Sequence, residues 1–490
     1  MARSFSLVAA AQAITWSATF LFTLAQARFL SPARFGELSL ALSYSVMLAV
    51  VVDFGLSTKL ARDVAQRPTT AGVALAASLV VRAGLWCLAM PLVWAATALL
   101  GYDTELQATI LILGASLLIG GFATSLAAYF QGRERFLFPS LGSIAQRGSA
   151  ALLGIGALAL GQGVIAVAIV YVLSSVLQVL VMIPGMRKYP VSSPSLDWSS
   201  VVEMFRGAAT LGCFWILVTI YYNVDMLILQ RLVPLENVAW YASAYRLFNA
   251  ATMVVGLVLG TVLYPVLARL SVESTEKLRH AMEKWFMFTL ASGVFIALTL
   301  VVAADQIVAL LYPARTYAEA ATPLRLLAPG LLAMYANGVF FLALFAVRLE
   351  RRLLAMAAAL AVLNPLANLV MIPILQQNGA ALITSVTEGV VLVWVLAATP
   401  RDLRRAANPV VVGKILAAAT PVATCLWLLR DRFLLLEVPV AAIVYASALI
   451  ALGVVPAAEV AAIRTFLRRP VRDVKPLDTG HAVSAQTAER

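Results

Sequence analysis

Apolar residues run along this chain in fourteen blocks of about 20, separated by short polar or charged gaps. A helix rising about 1.5 Å per residue needs about 20 residues to cross about 30 Å of hydrocarbon. Each block is therefore predicted to be a membrane span: 5–27, 35–57, 71–99, 105–130, 138–160, 163–185, 207–230, 237–268, 282–311, 323–347, 353–375, 378–398, 410–429 and 438–462. Hydrophobic residues make up 62% of the 490 and charged residues only 12%. A soluble chain of this length could not hide so much apolar surface, whereas a bilayer solvates it. The expected fold class is an all-α polytopic membrane protein of about 14 transmembrane helices.

Lys and Arg fill every second gap. If the N-terminus is cytoplasmic, 27 of the 36 basic residues fall in cytoplasmic gaps or the C-terminal tail, 7 in outer gaps, and Arg82 and Arg246 inside apolar blocks. That asymmetry puts both termini in the cytoplasm of a multi-pass cell (inner) membrane protein. It also removes the net charge of +12 as a sign of nucleic-acid binding, because the cations are spread over many membrane-flanking loops. In the basic tail, 464–490, the part from Arg464 to Lys475 is expected to lie against the anionic leaflet and the rest to be disordered.

Little covalent chemistry is available. Cys87, Cys213 and Cys425 fall in separate apolar blocks and read as small buried hydrophobes. The two histidines, His280 and His481, lie in a loop and the tail, so neither a metal site nor a cofactor is expected. Asp53-Phe54-Gly55 spells a kinase triplet and Gly154-x-Gly156-x-x-Ala159 loosely matches a dinucleotide fingerprint. Both sit in apolar helices, without the loops and strands those motifs require.

The chain reads as a duplication. Arg28-Phe-Leu-Ser-Pro32 after the first span matches Arg231-Leu-Val-Pro234 after the seventh. Leu60-Ala-Arg62 matches Leu267-Ala-Arg269, and Arg133-Glu-Arg135 matches Glu350-Arg-Arg352. All three carry an offset of six spans. Six is even, so the halves share one orientation, related by an axis along the membrane normal. The division expected is an N-lobe over 1–188, a cytoplasmic linker over 189–205, a C-lobe over 206–400, and two extra spans over 401–463. Two such lobes can enclose a cavity and rock around it.

On these stretches the chain resembles the oligosaccharide flippase (Wzx-type, polysaccharide biosynthesis) family of the MOP transporter superfamily. The matching residues are Leu30-Ser-Pro-x-x-Phe-Gly36, Asp53-Phe-Gly-Leu56 with Arg62, and Tyr129-Phe-Gln-Gly132. In the second half they are Asp225-x-x-Ile-Leu229 through Tyr241 and Arg246, then Leu310-Leu-Tyr-Pro313 with Tyr317-Ala-x-Ala320. The resemblance implies flipping of a polyprenyl-diphosphate-linked oligosaccharide from the cytoplasmic to the outer leaflet, with membrane lipids, a polysaccharide polymerase and glycosyltransferases as partners. An ion-coupled multidrug or small-molecule antiporter of the same superfamily is the alternative. An integral-membrane enzyme fits poorly, since the longest outer gap, Tyr312 to Thr322, is about a dozen residues.

Charges inside hydrocarbon cost several kcal/mol and persist where they meet a cavity or a partner. Arg82 lies about 16 Å into its span, near the midplane, a position for receiving a diphosphate. Its alternative is a packing Arg satisfied by a neighbouring carboxylate. Asp225 and Arg246 lie about 8 and 13 Å deep on consecutive spans, so the expectation is either an ion pair or a coupling carboxylate whose protonation, or exchange of Arg246 for the substrate diphosphate, drives the rocking. Glu388, near the middle of its span, reads as a cavity carboxylate suited to cation or proton coupling, and Asp53 as a helix-end charge. Arg147 is a second candidate for the diphosphate, or an interfacial snorkel. Asn223, Asn249, Asn364 and Asn368 are candidate sugar amides, with helix-to-helix bonding as the plainer use.

Overall fold

The computed structural model describes residues 2–189, 197–259, 263–430 and 434–455, and every regular element among them is helical. The first half contains α1 (Ala2–Phe29), α2 (Pro32–Asp53), α3 (Leu56–Gln66), α4 (Ala71–Leu99), α5 (Thr104–Gly132), α6 (Leu137–Ala159) and α7 (Val164–Lys188). The second contains α8 (Trp198–Leu232), α9 (Leu235–Val258), α10 (Tyr264–Glu273), α11 (Thr275–Val302), α12 (Ala304–Leu311), α13 (Ala314–Tyr317), α14 (Ala321–Ala346), α15 (Glu350–Leu375) and α16 (Gln377–Ala398). Then follow α17 (Arg401–Arg404), α18 (Pro409–Leu429) and α19 (Leu434–Ala451). Each expected span overlaps a helix among the described residues, where ten helical stretches are long and apolar enough to cross a membrane. The inter-lobe residues 190–196, the end of the fourteenth span and the basic tail lie outside the described residues.

The duplication reappears as packing. In the first half α1 packs on α6, α5 on α7, α6 on α7, α4 on α5 and α2 on α5. Six spans later α8 packs on α15, α14 on α16, α15 on α16, α11 on α14 and α9 on α14. Helices α18 and α19 pair with each other and lie against α11. We call the end of the bundle where α1 begins the near end, and that of the α1–α2 turn the far end.

Two spans are broken where unbroken helices were expected. The second stops at Asp53, because Phe54 (φ 44°) and Gly55 (φ 74°) are left-handed. A Cβ costs energy there, so Gly55 suits the corner; it also packs against Ala208 and Gly212 of α8. The ninth span ends at Val302, and α12 starts afresh with Asp305 in its first turn, paired with Arg325.

Helix α8 departs most from expectation. It has 35 residues, about 52 Å at 1.5 Å each, far more than one crossing requires. The eight residues Trp198 to Phe205, read as linker, are already helical, because Asp197 caps them by accepting from the Ser200 amide at 3.1 Å. Bonds from the Ser199 and Ser200 hydroxyls hold the Asp197 carboxyl low, at about 2. The first turns of α8 bury Val201, Met204 and Ala208 among Leu56, Leu60, Leu75 and Tyr129 of the first half. Its later turns bury Phe214 and Tyr221 in the core of the second half. One helix thus belongs to both cores.

At the far end the halves close on each other. Ala27 and Phe35 are buried among Met226, Ala239, Tyr241 and Tyr317. Phe35 meets Tyr317 edge-on at 6.0 Å. Gly36 has no room for a Cβ, because the Leu235 carbonyl of α9 lies directly against it.

Candidate functional site

Between the halves lies a cavity of 460 Å³ whose wall is drawn from α1, α2, α5, α6, α7, α8 and α9. Its volume lies in the range of small-molecule sites. Two cations face it. Arg147 of α6 is exposed there, with no hydrogen-bond or ion-pair partner among the described residues. Arg246 of α9 is half-buried and donates to Gln26 Oε1 at 3.3 Å and Ser39 Oγ at 3.2 Å. Its guanidinium also lies 4.5 Å from the centre of the Phe35 ring. All three partners are neutral and belong to the first half, so Arg246 reaches across the far-end seal.

Asp225 faces the same cavity but does not pair with Arg246 as expected. Its Oδ1 accepts from the Met226 amide at 2.7 Å and its Oδ2 from the Tyr241 hydroxyl, which also meets Thr384 Oγ1 at 3.1 Å. Depth along the two helices was compatible with a pair. The direction of the side chains was not, since Asp225 turns toward Tyr241 of α9 and Thr384 of α16, and Arg246 toward α1 and α2. The net result is a cavity with two guanidiniums and one carboxylate already engaged.

Arg82 is absent from the wall. It is 2% exposed and gives Nη2 to Asp53 Oδ1 at 2.8 Å and Ser57 Oγ at 3.1 Å, and Nε to Ser125 Oγ at 3.1 Å. The cavity position expected for Arg82 is therefore corrected to a packing position. Asp53 is likewise no solvated helix end: it ties the α2–α3 corner to α4. Arg82→Ala should cost about 3 kcal/mol, since it strands a partly buried carboxylate. Thermal unfolding of detergent-purified protein checks this, and an unchanged midpoint would remove the ion pair's structural role.

Glu388 is 1% exposed and lies behind the wall, not on it. It takes side-chain hydrogen bonds from Tyr222 and Asn337, while its Oε2 has no hydrogen-bond partner among the described residues. Tyr222 itself lines the cavity, so one ring separates Glu388 from it. Asn223 and Asn249 do reach the cavity. Asn364 instead donates to Thr387 of α16 at 2.8 Å, a helix-to-helix bond, and Asn368 donates to Asn364 within α15 at 3.0 Å. Cys87 and Cys213 are exposed rather than buried; within a span, an exposed perimeter meets lipid.

Sequence reasoning missed the polar wall of the first half: Thr19, Thr23, Gln26, Ser39 and Ser43. A signal was present, because positions 19, 23 and 26, like 39 and 43, recur at helical spacing on one face. Searching for charges passed over it. Ser43 and Thr19 spend their protons on backbone carbonyls one turn back, at 3.0 and 2.8 Å. Their oxygens are left as acceptors for a hydroxyl-rich ligand.

A family model described as "Polysaccharide biosynthesis protein" matches residues 1–271, and one described as "MatE" matches residues 214–374. Among solved structures, the fold is similar to the lipid II flippase MurJ in an inward closed conformation, with TM-score 0.74 and 13% identity over 94% of this chain and 100% of that one. It is also similar to an inward-facing multidrug resistance MATE family transporter of the MOP superfamily, with TM-score 0.63 and 18% identity over 78% and 93%. A MOP superfamily transporter from Pyrococcus furiosus, described as having a binding pocket of reverse polarity, gives TM-score 0.59 and 18% identity over 80% and 94%. No curated protein matches the chain in sequence.

Proposed function

This chain belongs to the polysaccharide biosynthesis protein family, and from that premise we propose that it flips a polyprenyl-diphosphate-linked oligosaccharide from the cytoplasmic to the outer leaflet by alternating access. The sign of the cavity carries this reading. Among the described residues Arg147 has no hydrogen-bond or ion-pair partner and Arg246 only neutral ones, so an anion completes both, and a diphosphate suits the planar donors of guanidinium. Acceptor oxygens of Thr19 and Ser43, with the amides of Asn223 and Asn249, are suited to sugar hydroxyls.

The mechanism follows from where Arg246 is held. By the distribution of basic residues the near end is cytoplasmic, so the far-end seal faces outward. Substrate entering from the cytoplasmic side brings its diphosphate to Arg147 and competes with Gln26, Ser39 and Phe35 for Arg246. A ligand moves a two-state equilibrium only by its differential affinity for the states. Here the difference arises because Arg246 exchanges cross-lobe bonds for bonds to substrate, which loosens the seal. Asp225 and Glu388 supply groups for cation or proton coupling. Labelling of a cysteine at Asp103, and none at Lys277, from outside intact cells checks the orientation.

The second reading is an ion-coupled antiporter of organic cations, favoured by the same two carboxylates. The discriminating experiment uses vesicles holding purified protein. Flipping of a fluorescent polyprenyl-diphosphate sugar, unaffected by excess organic cation, is the expected result. Uptake of the cation without flipping would replace the flippase reading with the antiporter one.

A further inference from the structure

On the lipid-facing side of the second half, a furrow of 830 Å³ runs between α15 and α16. Its floor is Gly389, and its flanks are Val386, Val390, Val393 and Trp394, which are 51%, 41%, 68% and 37% exposed. The furrow is apolar except at the near end, where Arg352 lines it. It extends along α16 from Val386 to Ala397, eleven residues or about 17 Å. Half the hydrocarbon of a bilayer is about 15 Å thick, so the furrow is one leaflet deep.

Its mouth is cationic. Arg352 gives Nη1 to the Ala398 carbonyl, and Arg404 gives Nη2 to the carbonyls of Ala397 at 2.8 Å and Thr399 at 3.0 Å. These bonds cap the C-terminus of α16, which explains why arginine stands there. They use only a part of each guanidinium, which has five N–H donors. Both side chains are exposed, as is Arg351 next to them. Capping alone would need neither a leaflet-deep slot below nor a tryptophan at headgroup height.

The geometry points to a binding site for an anionic glycerophospholipid of the near-end leaflet, with one acyl chain in the furrow and the phosphate on Arg352 and Arg404. The charge at the mouth selects an anionic headgroup over a zwitterionic one. The depth selects an acyl chain that ends at the midplane, where a long polyprenyl chain would overrun the slot. The site lies apart from the central cavity and does not depend on the substrate proposed for it.

Gly389 supplies a clean test, because a Cβ built on it meets no atom within 4 Å. Gly389→Phe puts a ring into the slot from a position where the Cβ itself meets no neighbour. Arg352→Gln with Arg404→Gln removes the charge and keeps amide donors for the carbonyls of α16. Native mass spectrometry of the full chain, titrated with phosphatidylglycerol or phosphatidylcholine, should show one phosphatidylglycerol bound at least tenfold more tightly than phosphatidylcholine. Either variant should lose that preference tenfold or more, with its lipid-free unfolding midpoint unchanged. Inorganic phosphate should not displace the lipid. Equal binding of the two lipids, or full phosphatidylglycerol binding by Gly389→Phe, would overturn the site. A wild-type dimer that Gly389→Phe dissolves would assign the furrow to a second copy instead.

Discussion

Gly36→Val should stop transport while leaving the protein folded in the membrane. The Leu235 carbonyl occupies the place a side chain would take, and backbone on both sides leaves nothing flexible to yield. Overpacking of this kind costs about 2–3 kcal/mol, or thirty- to hundredfold in population. Since the contact joins the two halves, that cost falls on the sealed state alone. The variant should therefore rest with its far end open. A cysteine at Ser43, on the cavity wall, should react with an impermeant thiol reagent from outside intact cells at least tenfold faster than in the parent background. Normal export by Gly36→Val would mean that this contact does not open and close during transport.

Arg147→Ala and Arg246→Ala should each reduce export of the lipid-linked product at least tenfold, for different reasons. A charge-assisted hydrogen bond contributes about 1.5–3 kcal/mol, or about ten- to hundredfold in affinity. Arg147 has no hydrogen-bond or ion-pair partner among the described residues, so its removal should raise the substrate concentration needed and leave the maximal rate and the unfolding midpoint unchanged. Arg246 also latches the seal, so Arg246→Ala should lower affinity and shift the resting state toward far-end opening. Arg147→Lys should recover part of the loss, as a point charge without the planar fork. The comparison is made as flipping rate against substrate concentration in reconstituted vesicles, alongside membrane protein levels. Unchanged kinetics in Arg147→Ala would remove the diphosphate from that position.

Residue depth was legible in the sequence, and direction was not. Counting 1.5 Å per residue put Arg82 near the midplane, yet depth cannot say whether a side chain looks inward to a cavity or sideways to Asp53. The same limit applies to Asp225 and Arg246, which lie near one another in depth but bond to different helices. The duplication was legible because a fixed offset repeats in sequence and then in helix pairing. The motif glycines, Gly36 and Gly55, stood out in the sequence as letters only. Their purpose required knowing that α9 and α8 approach them, and those contacts join residues some 150 to 200 positions apart. Breaks at Asp53 and Val302 escaped a hydropathy reading because an apolar helix and an apolar corner have the same composition.

The sharing of α8 between two cores bears on how the chain is made. Val201, Met204 and Ala208 complete the packing around Leu56, Leu60 and Tyr129, so the first half lacks part of its interior until the start of the second has been synthesised. Domains generally fold as units, N-terminal first, as the ribosome releases them. Here the unit that can fold first ends near Ala208, inside a helix, and not at the polar stretch that separates the repeats in sequence. A fragment stopped within 190–196 would leave that apolar pocket uncovered and a target for degradation, whereas one extended through the first turns of α8 would carry its own lid.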